Sequence, residues 1–421
     1  MKRRTFIQSS LMGAVAIPFP DILSPQRTVS DLDVKITKIV CFRVPYTRPR
    51  VVGGNSKYKM AGGTRHDWMI ALFAENGMIG LGSGPRYGKP APTDFPIGKS
   101  VGELLNSYLQ ETADKIGTTA VWDLAGKIQE KPVYELLGGK RKPEGVRVYD
   151  GGIYIEELVN RDKGSPYRRE QAPYGNRPNW KDVFKEAMDI SQQHGHNFVK
   201  VKIGRGSIHL SREAGNIQDA AVLQFLREYG GKDLSIGVDA NNGYRLEDTL
   251  WLLQEYGDLN LAFIEEMFHE DIEKYREIKS FIRKNKLSTY IADGENWKSP
   301  TQAGVPELIE SGVLDVLQGD MRMFQIEGIL KEAELGQQVG SLVAPHNWGS
   351  EFAFYVMIHM GNVLPNFYAA ENDIGKIDSP IYQGEAYTIK EGRCYAPQDP
   401  GFGLTLKPEM LNNAEIIYQY G

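Results

Sequence analysis

From residue 146 onward the chain consists of short apolar runs that stop on an ionisable residue and give way to helical sequence. This spacing limits the fold more than any other feature. The runs end near Asp150, Lys202, Asp239, Glu265, Glu295, Asp320, His346 and Glu371, and from Lys202 onward the intervals are 37, 26, 30, 25, 26 and 25 residues. Eight strands at about 30 residues per unit are what a closed β/α barrel of about 250 residues requires. No sequence repeat accompanies the spacing, so the regularity is architectural and not that of a solenoid. The interval from Asp150 to Lys202 is longer because residues 161–180 are a polar Arg/Pro/Gly/Tyr insertion, expected to form an irregular surface loop.

In such a barrel the C-terminal ends of the strands carry the chemistry. Here consecutive ends present Lys, Asp, Glu, Glu, Asp, His and Glu. Strand side chains alternate between faces, so Lys200 and Lys202 point into the barrel mouth together while Val199, Val201 and Ile203 meet the helices. Two ammonium groups side by side are expected to depress each other's proton affinity, which makes a lysine a usable base near neutral pH. Asp239, either Glu265 or Glu266, and Glu295 converge on one point, where like charges need a cation. Hard oxygen donors favour Mg2+, with Mn2+ as a substitute. Each acid read singly is equally a helix N-cap.

Asp320 and His346, at adjacent ends, form a carboxylate–imidazole pair that fixes the tautomer and raises the basicity of the ring. That supplies a second acid/base opposite the lysines. His194 and His196 precede the lysine strand and are expected at the far mouth, on the surface. His359 falls in an apolar helical run, while His209 and His269 follow strand ends and are candidates to line the site.

Upstream, residues from about Asp33 to Gly139 form a distinct unit, with alternating strands near residues 34–40 and 68–73 and a helix over 120–128. Residues 48–65 are polar and Gly-rich, too long for a hairpin turn, and are expected to form a lid. Arg3 and Arg4 before Phe6, followed by a short apolar stretch, read as a twin-arginine export signal over residues 1–28, which implies a periplasmic location. That stretch is far below the ~20 residues of a membrane span, and no span candidate follows. The 49 basic and 54 acidic residues are too evenly mixed to offer nucleic acid a basic face, so a small-molecule partner is the default. Only Cys41 and Cys394 are present, which excludes a cysteine zinc site.

Lys-Val-Lys-Ile-Gly at 200–204, Val-Asp-Ala-Asn at 238–241, Phe-Ile-Glu-Glu at 263–266, Asp-Gly-Glu-Asn-Trp at 293–297, Leu-Gln-Gly-Asp at 317–320 and Ala-Pro-His at 344–346 form a set. This set resembles the mandelate racemase subgroup of the enolase superfamily, in the mandelate racemase/muconate lactonizing enzyme family. Trp-Asp-Leu-Ala-Gly-Lys at 122–127 and Pro-Val-Tyr-Glu-Leu-Leu-Gly-Gly at 132–139 resemble its N-terminal capping domain, and Pro-Gly-Phe-Gly-Leu at 400–404 its returning C-terminal segment.

The resemblance implies an α/β fold: an α+β capping domain (33–145), a modified TIM-type (β/α)7β barrel (146–375) and a segment (376–421) that returns to the cap. It also implies Mg2+ on Asp239, Glu265 and Glu295, choosing Glu265 over Glu266. Lys202 and His346 are the implied bases, with Lys200 and Asp320 beside them and an electrophilic Glu371 near the substrate carboxylate. If Cys41 and Cys394 both pack in the cap, a disulfide can join them, although two buried thiols are equally ordinary.

A proton α to a carboxylate is barely acidic, so a metal must neutralise the developing charge while a base removes the proton. The polar lid, and Asn241 near the metal as a substrate-binding residue, suit a hydroxyl-rich ligand. Dehydration of a sugar acid to a 2-keto-3-deoxy acid is therefore the expected activity, by a homo-oligomer. A racemase or epimerase of a 2-hydroxy acid and a non-catalytic periplasmic sugar-acid binder are the alternatives.

Overall fold

The computed structural model describes residues 32–58, 62–85, 88–158, 179–377, 382–384, 387–406 and 408–421, so the twin-arginine segment and most of the 161–180 insertion lie outside the described residues. Uninterrupted apolar runs at 39–42 and 69–73 put apolar side chains on both faces of the first two strands, β1 (Ile36–Val52) and β2 (Gly62–Ala74). They pair antiparallel, and β3 (Ile79–Ser83) extends the meander. Ile39, Cys41, Ile70 and Leu72 pack against Val121 and Leu124 of the helix Thr119–Ile128. Their strand neighbours Val40, Phe42, Val44 and Met69 point the other way and join the large core of the barrel. A sheet with two buried faces thus couples the N-terminal unit to the barrel.

Eight parallel strands follow: β4 (Val146–Ile153), β5 (Phe198–Lys202), β6 (Ser235–Asp239), β7 (Phe263–Glu265), β8 (Tyr290–Asp293), β9 (Val316–Leu317), β10 (Leu342–Val343) and β11 (Ala370–Asn372). Their order runs from β10 down to β4 and on to β11, and a bridge between Val343 and Phe367 brings the approach to β11 back beside β10. One principal helix connects each successive pair, from Trp180–Gln193 to Glu351–Val363, which gives the expected (β/α)7β pattern. The first strand runs three residues past Asp150, whose carboxylate accepts the Gly152 N–H at 2.7 Å. A floor of Tyr149, Phe198, Phe263, Ala292, Val316, Ala344 and Ala369 fills the interior. Two residues further along β5 and β7 the same inward face carries Lys200 and Glu265, so the barrel changes from apolar to ionic within one step of the pleat.

After β11 the chain divides its contacts. β12 (Lys376–Ile377) and β17 (Glu415–Tyr420) pair with β1, and β13 (Tyr382–Gly384) pairs with β16 (Leu404–Leu406). The hairpin of β14 (Ile389–Lys390) and β15 (Arg393–Cys394) instead pairs with β4. Cys394 therefore sits in the barrel core and Cys41 in the cap sheet; both thiols are free, and burial pushes each up to about 12. The two segments pack in different cores, so the disulfide does not form. No helix among the described residues is long and apolar enough to cross a membrane.

The expected lid is mostly strand. β1 and β2 remain paired as far as Val52 and Gly62, which leaves a short connection between them. Its start is docked on the barrel: Gly54 and Ile155 exchange backbone hydrogen bonds at 3.0 Å in both directions. A Cβ at Gly53 would lie 2.0 Å from the Ile155 carbonyl oxygen, so glycine is needed for this approach. A second strand partner on the barrel thus replaces the solvent that a free loop would face.

Candidate active site

Lys200 is fully buried between Glu265 Oε1 at 2.7 Å and Glu371 Oε1 at 2.8 Å, with Asp239 Oδ2 at 3.8 Å. Lys202, two residues nearer the mouth, pairs with Asp239 and reaches the cavity wall. Only one of the two lysines is therefore available to a ligand. The expected mutual depression of their proton affinity is overturned. Burial pulls both downward, and Lys200 adds to that at Lys202. The carboxylates, Glu265 and Glu371 around Lys200 and Asp239 against Lys202, outweigh this and hold both well above the usual lysine value.

Asp239, Glu265 and Glu295 bring ligand oxygens within 4.8 Å of one another. The orientation of each is fixed by neighbours. Asp239 Oδ1 accepts the Asn241 N–H at 2.7 Å, Glu265 Oε2 accepts from Gln318 Nε2 at 2.7 Å, and Glu295 Oε1 accepts from Asn241 Nδ2 at 3.3 Å. Burial raises Glu265 to about 8, with Asp239 and Glu371 adding to it against the pull of Lys200. Burial also acts to raise Glu295, but His346, Lys202 and Lys200 hold it well below the usual carboxylate range. Three hard-oxygen donors from successive strand ends, two buried and Glu295 half-buried, fit a small divalent cation.

Glu266 takes no part in that set. Its φ of +43° turns it aside, where it accepts from Asn241 Nδ2 at 3.1 Å and from Asn242 Nδ2 at 3.2 Å, and it also bonds Asn296.

His346 stands across the cavity from Lys202, on the far side of the strand order. Its Nδ1 lies 2.7 Å from Asp320 Oδ2 and its Nε2 3.2 Å from Glu295 Oε2. Burial alone would lower the imidazole, yet Glu295, Glu371 and Asp320 carry it up to about 9. Asp320 serves two ends at once, because its Oδ1 caps the helix Met321–Val339 by accepting the N–H groups of Arg322 and Met323 at 3.0 Å. Lys202, Glu295, Asn241 and His346 share a cavity of about 490 Å³ closed on the cap side by residues of the β1–β2 hairpin.

The family model described as enolase C-terminal domain-like matches residues 182–410, more than half of the chain. This chain belongs to that family. Its fold is similar to a galacturonate dehydratase from a Geobacillus species, solved with D-galacturonate and 5-keto-4-deoxy-D-galacturonate, at 27% identity over 93% of this chain and 100% of that one, with a TM-score of 0.76. It is also similar to a mandelate racemase/muconate lactonizing protein from Geobacillus sp. Y412MC10 complexed with magnesium and tartrate, at 27% identity and a TM-score of 0.77, covering 90% and 95% of the two chains. The arabinonate dehydratase of Saccharolobus solfataricus is 27% identical over 294 residues, 69% of this chain and 68% of that protein.

Within this enolase-type barrel the remaining candidates fall out differently. Glu371 is buried beside the cavity wall: Oε2 accepts the Asn347 N–H at 2.9 Å and lies 4.0 Å from His346 Nε2, while Oε1 pairs with Lys200. Asn241 does reach the wall, but its amide is taken up by Asn55, Glu266 and Glu295. His209 Nε2 sits 2.8 Å from the Asn55 carbonyl oxygen, outside the wall, and His269 is exposed. His359 is buried as expected, accepting the Tyr134 N–H, and burial lowers it to about 3.

His194 is exposed, but His196 is buried against Asn372 Oδ1 at 3.1 Å and not at the surface, because β11 passes over it. Sequence reasoning missed Arg65, Tyr58, Tyr154, Arg322 and Trp348 at the cavity wall. Arg65 was in view, but only as a member of a polar loop.

Proposed function

We propose that this protein is an acid-sugar dehydratase, a lyase that takes the proton α to a carboxylate and expels the β-hydroxyl to give a 2-keto-3-deoxy acid. The observation that carries the reading is that Lys202 on β5 and His346 after β10 face one cavity from opposite sides, with the Asp239, Glu265 and Glu295 carboxylates between them. The dehydratases among its relatives support it. Mg2+ held by those three carboxylates would supply the positive charge that a substrate carboxylate needs as its α-carbon loses a proton.

The chain's own residues do the proton work. Lys202 takes the α-proton from its neutral form, which a cation held on Asp239, in place of the ammonium that now answers that carboxylate, would favour. His346, oriented by Asp320 so that Nε2 faces the cavity, gives its proton to the β-hydroxyl as the C–O bond breaks, and water leaves. The resulting enol takes a proton at its β-carbon and becomes the keto acid. Lys200 touches no ligand; it positions Glu265 and Glu371. Export by the twin-arginine route, inferred from the leader sequence, would place this activity in the periplasm, and N-terminal sequencing of periplasmic protein lacking the first ~25 residues checks it.

Two variants test the assignment. Lys202→Ala should lose both product formation and deuterium exchange at the α-carbon, whereas His346→Asn should keep slow exchange and lose elimination by about 10²–10⁴-fold. A racemase would show each variant blocking exchange of one enantiomer. Elimination at the parental rate in His346→Asn would overturn the role given to the imidazole.

A further inference from the structure

On the cap side of the cavity Arg65, on β2, lies flat on the indole of Trp348, its guanidinium carbon 3.5 Å from the ring centroid. Its neighbours Arg48 and Arg50 are answered by acids, Arg48 by Asp373 and Arg50 by Glu156. Arg65 has no carboxylate against it among the described residues, and its buried Nε has no acceptor. The buried indole Nε1 of Trp348 likewise has none. Burial, and after it the charge of Arg48, push the Arg65 guanidinium down from its ordinary value, as expected for a cation lacking a counter-ion.

The position is built, not incidental. Gly349, at φ +72°, leaves room for the Arg65 stem, whose Cγ would lie 3.1 Å from a Cβ there. An unpaired buried donor costs about 1–3 kcal/mol, more for a charged one, unless a ligand satisfies it.

Trp348 is two residues beyond His346 in the same loop, and with Arg65 it lines the same cavity as Lys202 and His346, so a ligand held between those two is within reach of Trp348 and Arg65. We infer that Arg65 and Trp348 form a subsite for a second anionic group, so that the preferred substrate is a sugar acid charged at both ends. Lys57, exposed on the same wall, adds positive potential there, and the planar fork of Arg65 suits two oxygens of a terminal carboxylate or of a phosphate ester.

The inference rests on the dehydratase reading only for which end reacts. It is tested with sets of equal configuration, an aldonic acid, the corresponding aldaric acid and the terminally phosphorylated aldonate, followed with Mg2+ both by keto-acid formation and by calorimetric binding. A doubly charged member should exceed the aldonate by about tenfold or more in kcat/KM and in affinity. Which of the two does so identifies the anion as carboxylate or phosphate. Arg65→Met should remove most of that ratio, and Arg65→Lys, which keeps the charge but not the fork, should restore part of it. Equal binding of singly and doubly charged acids, no binding of any of them, or an Arg65→Met variant that weakens all of them alike, would overturn the subsite. Absence of turnover with the ratio intact in binding would instead overturn the dehydratase reading and leave the subsite standing.

Discussion

On the barrel side of the cavity each ionic group has its answer within the protein: Lys202 meets Asp239, Lys200 lies between Glu265 and Glu371, and His346 is held by Asp320 and Glu295. On the cap side Arg48 and Arg50 each have a carboxylate, but among the described residues Arg65 has none, and its Nε and the Trp348 Nε1 have no acceptor. The difference teaches how the two walls divide labour. The groups proposed to move protons are held in a closed network, which fixes their geometry before a ligand arrives. Groups that recognise a ligand are left incomplete, so that only a ligand of the right charge completes them.

The barrel side breaks most completely if the cation it is built for is withdrawn. Chelation should abolish turnover, restored on adding Mg2+. The thermal midpoint should fall only by what linkage dictates, about 2.7 kcal/mol at a metal concentration 100 times Kd, because Lys200 and Lys202 already answer the carboxylates. Turnover surviving verified metal removal would end the cation reading.

A smaller effect sharpens the closed network at its other pole. Asp320→Asn should cost about 10–100-fold in turnover, the usual scale for an outer partner of a working histidine. It should also move the upper limb of the pH–rate profile to lower pH, because the imidazolium loses one of the carboxylates that support it. A fall in rate with an unmoved profile would make Asp320 only a helix cap.

The effect behind that pole falls on stability and not on turnover. Glu332 accepts the Gly319 N–H at 2.9 Å, just before Asp320, and burial raises its carboxyl to about 8. Its folded value is above its unfolded one, so its contribution is full below about pH 4.5 and is lost as pH rises toward 8. At 1.36 kcal/mol per pH unit that loss is at most roughly 5 kcal/mol. Glu332→Gln keeps the acceptor and removes the titration, so the variant should flatten the decline of stability between pH 5 and 8 in denaturant melts. Parallel curves for both proteins would show that Glu332 does not titrate in this range.

Much of the barrel side was legible because its signal is local. A pleat of period two assigns Lys200 and Lys202 to one face from five residues of sequence, and the spacing of strand ends follows from the length of a helix and its return. The same parity could not separate Glu265 from Glu266. The left-handed φ of Glu266 settles that, turning it toward three asparagines.

The sequence by itself thus determined the architecture and which residues reach the strand ends. Only the tertiary structure decided the sign of the lysine shifts, the separation of Cys41 from Cys394, the burial of His196 under β11, and the conversion of an apparent lid into a docked hairpin. It also decided which of several arginines has no carboxylate against it among the described residues. Those outcomes depend on sums of Coulomb and desolvation energies over segments as far apart as Arg48 and Asp373, or Arg65 and Trp348. Such energies vary with distance in space, which no local periodicity records.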